Sequence, residues 1–136
     1  MPHRRSQLLA RGLTALALAR TAVGVAMLVR PPALGGLLGA DRAATRDADW
    51  AVQMLGAREV ALGLGALSAR RRDRRWLVAG LISDAVDAAV ITRAAGAGVL
   101  RRGPALLVVA AASTAAATQA AGLALRPLPA RTWLRR

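Results

Sequence analysis

Five ionisable side chains stand inside material that is otherwise apolar or small. They are Arg20, the adjacent Arg58 and Glu59, and the pair Asp84 and Asp87 in LISDAVDAAV over 81–90. Asp84 and Asp87 are three residues apart, so on an α-helix they share a face. Two carboxyls at that spacing, with Glu59 as a third, are candidates for proton chemistry. A protonated member can act as general acid on an apolar substrate such as an isoprenoid or an epoxide. The same carboxylates resemble part of a metal site, but neighbouring arginines disfavour a cation, and neither metal nor cofactor is expected. Arg20 and Arg58 point to a different chemistry, in which guanidinium forks clasp an anionic lipid or small acid, or an aspartate carries a proton across. A third reading requires no ligand. The charges satisfy one another, fix helix register, and leave a structural or partner-assisting subunit.

The charge count bears on all three readings. Two arginines against three carboxylates leave one negative charge in excess. A low-dielectric interior tends to neutralise an unbalanced charge by proton uptake. Asp84 and Asp87 are therefore expected to share a proton, with Arg20 and Arg58 holding the remaining negative charge.

The elements that must position these groups are four apolar segments, at about 8–29, 50–69, 76–95 and 104–125. Each is about 20 residues long, the length at which an α-helix crosses a hydrocarbon core of about 30 Å. Period-2 alternation is missing, which argues against strands. A helix of a soluble bundle carries one polar stripe along its length, whereas these segments are apolar nearly all round, with isolated polar residues near their middles. Pro104 suits the first turn of the fourth helix, and Asp47 or Asp49 is expected to cap the second. The expected architecture is all-α, a single domain over 1–136 built as an integral membrane bundle of four transmembrane helices. A cleaved leader fits poorly, because the first segment is long, contains Arg20 and runs into Arg30-Pro31-Pro32.

Composition narrows the function classes. Hydrophobic residues make up 55% of the 136, with no Phe, Tyr or Cys. Without Cys, disulfides and thiolate chemistry are excluded, and with His3 as the single histidine so are a His-based triad and a multi-His metal site. The net charge of +13 raises the question of nucleic acid. That partner is rejected, because most arginines lie between the apolar runs rather than on one solvated face.

Their distribution instead carries a topology signal. Arg4, Arg5, Arg11, Arg70, Arg71, Arg72, Arg74, Arg75, Arg126, Arg131, Arg135 and Arg136 fall on one side of the segments. Arg30, Arg42, Arg46, Arg93, Arg101 and Arg102 fall on the other, diluted by Asp41, Asp47 and Asp49. By the positive-inside rule both termini and the ARRRDRRW loop are expected in the cytoplasm, in a bacterial inner membrane. Trp50, Trp76 and Trp133 fall at expected interfaces, where an amphipathic ring is favoured. The loop arginines Arg70, Arg71, Arg72, Arg74 and Arg75 are candidates for anionic lipid head groups, although topology alone accounts for them.

An arginine or aspartate at the centre of a spanning helix costs about 2.5–3.5 kcal/mol. The five charges are therefore expected to face one another. Gly80 and Ile91 share the face of Asp84 and Asp87, and Gly56, Gly63 and Ala66 share that of Glu59. Gly24 lies one turn from Arg20. Such small residues let helices approach closely. Arg58 projects about 100° away from Glu59 and is expected to reach a different neighbour. The fourth helix adds Ser113, Thr114, Thr118 and Gln119 at similar depth, with Gly122 one turn beyond Thr118.

Arg20 with Gly24, LGAREVALGLG over 55–65 and WLVAGLISDAVDA over 76–88 resemble the small bacterial four-helix membrane proteins of the DoxX-like group and a related family without assigned activity. The resemblance covers nearly the whole chain. It implies that Arg20, Arg58, Glu59, Asp84 and Asp87 belong to a shared polar core, and it implies no substrate. Some DoxX-like proteins are linked to redox or thiol-stress partners, and this chain brings no thiol of its own. Four helices are few for a transporter, so the transport reading requires a homo-oligomer, and the partner-assisting reading a membrane-protein partner.

Overall fold

The computed structural model describes residues 2–31, 42–69 and 73–125. Among them are four α-helices and no strand: α1 (Pro2–Val29), α2 (Arg42–Ser68), α3 (Arg75–Gly96) and α4 (Arg102–Ala124). Arg70, Arg71, Arg72, Arg126, Arg131, Arg135, Arg136, Asp41 and Trp133 lie outside the described residues, as do the side chains of His3, Arg5, Arg42, Arg46 and Asp47.

The helices occupy the four apolar segments, but α1 and α2 begin earlier than the segments do. Hydrophobicity marks only the membrane-length stretch, whereas arginine, alanine and glutamine extend a helix at little cost. The expected cap of α2 is corrected accordingly. With the helix starting at Arg42, Asp47 and Asp49 lie within it. Pro104 stands in the first turn of α4, where its missing N–H breaks no helical bond.

The loop ends of α3 are formed locally. The Asp73 carboxylate accepts the backbone N–H of Arg75 at 2.9 Å. At the other end Gly98 adopts φ +76°, a conformation that favours glycine. The N–H of Val99 reaches Ala94 at 2.9 Å and that of Gly98 reaches Ala95 at 3.2 Å, a Schellman closure of the helix.

Successive helices run antiparallel, and they pack as two close pairs. α1 lies along α2, and α3 lies along α4, while α1–α4 and α2–α3 contacts are sparser. Glycines bring α1 and α2 together. A Cβ on Gly24 would stand 2.6 Å from the Gly56 carbonyl oxygen, and one on Gly56 would stand 2.7 Å from the Met27 Cβ. Only backbone fits there. Farther along the same seam, Gly63 faces Thr21 and the Ala17 carbonyl. The indole of Trp76 lies on Gly65, so the start of α3 is fastened against the end of α2.

Apolar side chains point outward. Leu8, Leu18, Val29, Leu106 and Leu107 are exposed, and the buried apolar residues are few and mostly small. Among the described residues two helical stretches are long and apolar enough to cross a membrane, Ser6–Val29 and Arg102–Ala124. Only 17% of each is buried, which is unlike the core helix of a soluble protein.

Candidate functional site

All five interior charges meet where the two helix pairs face each other. Arg20, projecting from α1, donates through Nη2 to Asp84 on α3, and its Nε lies 3.6 Å from Glu59 Oε2 on α2. Arg58 on α2 grips Asp87 with both ends of its fork, Nη1 to Oδ1 at 3.1 Å and Nη2 to Oδ2. A planar guanidinium matched to a carboxylate in this way is the strongest form of the pair. Arg58 also reaches its chain neighbour Glu59 at 3.3 Å. It thus finds the different neighbour expected of it, and the long side chain additionally folds back across the turn.

The fourth helix contributes Gln119, whose amide donates to the second oxygen of Asp84 and to the Ala115 carbonyl at 3.1 Å. Asp84 is 4% exposed, Gln119 3% and Arg20 8%, so this half of the cluster is buried. The Arg58–Asp87 half is only part-buried. Thr114 and Thr118 lie on the same helix as Gln119 but do not join it. Their hydroxyls donate to the carbonyls of Ala110 and Thr114 one turn back, at 2.8 Å each, a common way for a hydroxyl to be satisfied on a helix. Ser113 is exposed.

Each aspartate has its own arginine, and no hydrogen bond joins Asp84 to Asp87. Their i, i+3 spacing puts them on one face, yet the two arginines approach from different helices and pull the carboxylates to different partners.

A cavity of about 390 Å³ opens onto the cluster, within the range of small-molecule sites. Arg20, Glu59, Asp84 and Asp87 form its polar end. Leu16, Met27, Leu55, Ile91, Val108 and Ala112 form much of its wall. Val23 and Val90, 46% and 58% exposed, stand at the rim. The lining comes from the C-terminal half of α1 (16–27), the middle of α2 (55 and 59), and residues 84–91 of α3 and 108–115 of α4, so the cavity runs from mid-bundle toward the Gly98 turn. Toward Trp76, Arg20 borders a gap of only about 20 Å³, room for about one water. The cluster is therefore open on one side and separated on the other by this gap from a second cavity of about 290 Å³ around Trp76 and Asp73.

The charges were legible in the sequence, and so was Gln119 as a polar candidate. Two features were not. One is the wall of the cavity, whose aliphatic residues look like any others in an apolar helix. The other is the contact between Gly80 and Gln119, for which the single signal is a glycine one turn before Asp84. Comparison with protein-family models, curated proteins and solved structures returns no match.

Proposed function

We propose that this chain is a multi-pass membrane protein whose cavity takes up the head of an amphiphilic molecule from the bilayer. One observation carries the reading: the walls are aliphatic, the rim is exposed, and the end is a buried charge cluster. A sealed cluster would serve packing alone, whereas an open one presents polar groups to whatever occupies the cavity.

The membrane setting rests on the outward apolar surface. α2 and α3 do not join α1 and α4 as apolar spans because they carry Arg58, Glu59, Asp84 and Asp87. Those charges turn inward to one another, which removes the cost of facing lipid. In this reading all four helices span a bacterial inner membrane, with both termini and the basic 70–75 loop in the cytoplasm. The cavity then opens in the outer half of the bilayer. The resemblance to the DoxX-like group belongs to the same proposal. Binding fits better than transport, since toward Trp76 the cluster meets a gap of only about 20 Å³ before a second cavity of about 290 Å³.

A second reading has its own support. The ion pairs of Arg20 and Arg58 cross from one helix pair to the other, where packing is sparser. The cluster thus also ties the pairs together, and a structural role coexists with the site.

Native mass spectrometry of the full chain extracted from membranes tests the proposal. A retained amphiphile is expected on the wild type. It should be lost from Ala112→Trp, which fills the cavity wall without touching a charge. Retention by Ala112→Trp, or absence from both, would remove the binding reading.

A further inference from the structure

The buried half of the cluster is bordered by space on two sides. The cavity of about 390 Å³ reaches Arg20 and Asp84 from the outer half of the bundle. The small gap on the other side is bordered by Arg20 and Gln119. Beyond it, in the half that holds Trp76 and Asp73, lies the inner cavity of about 290 Å³. The three spaces share walls. Leu16 and Arg20 border both the outer cavity and the gap. Leu13, Ala17, Ala66, Trp76 and Leu77 border both the gap and the inner cavity. The spaces thus form one line along the bundle, and its narrowest point lies beside the charges.

Asp84 joins the two sides chemically. It borders the outer cavity, and its two oxygens hold the polar side chains that border the gap, Oδ1 that of Arg20 and Oδ2 that of Gln119. Hydrogen bonds to an ionised carboxylate are roughly twice as strong as those to a neutral acceptor. A proton taken up by Asp84 therefore loosens both side chains that close the gap. The charge balance has room for that proton. Arg20 from α1, Arg58 and Glu59 from α2, and Asp87 from α3 are the other charged members of the cluster, and Gln119 from α4 is uncharged. One proton brings three carboxylates and two guanidinium groups to neutrality, the state that a low-dielectric interior favours. Room for about one water stops a solute, but it is enough for a proton to cross.

We propose that Asp84 relays protons between the two cavities, so that the bundle conducts protons across the membrane while excluding solutes. The carboxylate forms an O–H bond with a proton from water in the outer cavity. As Arg20 and Gln119 yield, that bond breaks and the proton passes to water in the gap, and from there to the inner cavity. The step is reversible, and its direction follows the gradient. The proposal shares the membrane placement of the binding reading but needs no amphiphile.

The full-length protein, reconstituted into phosphatidylcholine–phosphatidylglycerol liposomes that hold the pH dye pyranine, tests it. A potassium gradient with valinomycin imposes a membrane potential, and the dye reads internal pH. The wild type is expected to raise proton flux about tenfold over protein-free liposomes. Asp84→Asn, which cannot take up the proton, should return it to the protein-free level. Ala66→Leu should do the same, because it fills the gap without touching a charge. Gly12→Ala, which borders none of the three spaces, should leave the flux unchanged. Flux no greater than in protein-free liposomes, or unaffected by Ala66→Leu, overturns the proposal. So does matching release of trapped carboxyfluorescein, the mark of a general leak. Should Asp84→Asn fail to fold, Ala66→Leu still decides. A retained amphiphile without proton flux removes this inference and leaves the binding reading, and flux without a retained amphiphile does the converse.

Discussion

The side-chain amide of Gln119 rests on the bare Cα of Gly80, in the volume that a Cβ at position 80 would fill. This contact between α3 and α4 lets Gln119 reach Asp84, one turn farther along α3. A methyl group there must displace the amide or part the helices.

Gly80→Ala is therefore expected to destabilise the protein by about 1–3 kcal/mol, the usual cost of overpacking. This is opposite in sign to an ordinary glycine-to-alanine change in a helix. Thermal unfolding in detergent measures it. Gln119→Ala in the same background should recover part of the loss, because it removes the group in conflict. An unchanged or raised midpoint in Gly80→Ala would show that the contact carries no weight.

The two aspartates should respond differently to substitution. Asp84 is buried with two partners, so Asp84→Leu leaves Arg20 charged and underpaired, at a cost of about 3–5 kcal/mol. Asp87 is part-buried and its partner Arg58 keeps Glu59 as a second acceptor, so Asp87→Asn should cost less, about 1–3 kcal/mol. Arg20→Met combined with Asp84→Leu should be less damaging than the sum of the single changes. Equal costs at positions 84 and 87 would contradict the asymmetry.

Glycines on the α1–α2 seam should be intolerant, and a glycine away from it should not be. Gly24→Ala and Gly56→Ala each push a Cβ against backbone or Met27 and should lower stability by about 1–3 kcal/mol. Gly12 has nothing within 4 Å of its notional Cβ, so Gly12→Ala should raise stability by about 0.5–1 kcal/mol through helix propensity. Unfolding midpoints of the three variants measured side by side test the contrast.

The orientation can be read directly, because the chain has no cysteine to remove. Val99→Cys in the α3–α4 turn and Arg4→Cys near the N-terminus are both exposed. In intact cells an impermeant maleimide is expected to label the first and to spare the second until the membrane is opened. Labelling of Arg4→Cys in intact cells would reverse the proposed topology.

Composition and spacing determined a good deal without a fold. Runs of about 20 apolar residues announce helices because an unpaired backbone is too costly in apolar surroundings. Charges inside those runs announce a cluster because apolar surroundings do not tolerate them singly. Arg20, Arg58, Glu59, Asp84 and Asp87 followed from that argument alone. Helix starts did not, since Arg42 and its neighbours extend a helix without any hydrophobic signal.

Tertiary structure decided which charges pair. Sequence spacing puts Asp84 and Asp87 on one face and suggests a shared proton. Their arginines come from separate helices, and only the packing of α1 and α2 against α3 assigns one to each. The same holds for Thr114, Thr118 and Gln119, three polar residues at similar depth along α4. A side chain long enough to cross to Asp84 joins the cluster, and a hydroxyl that its own helix satisfies does not. The cavity is the clearest case. Its wall is made of ordinary aliphatic residues from four helices, and a space between helices is a property of their distances, which no local pattern in the chain encodes.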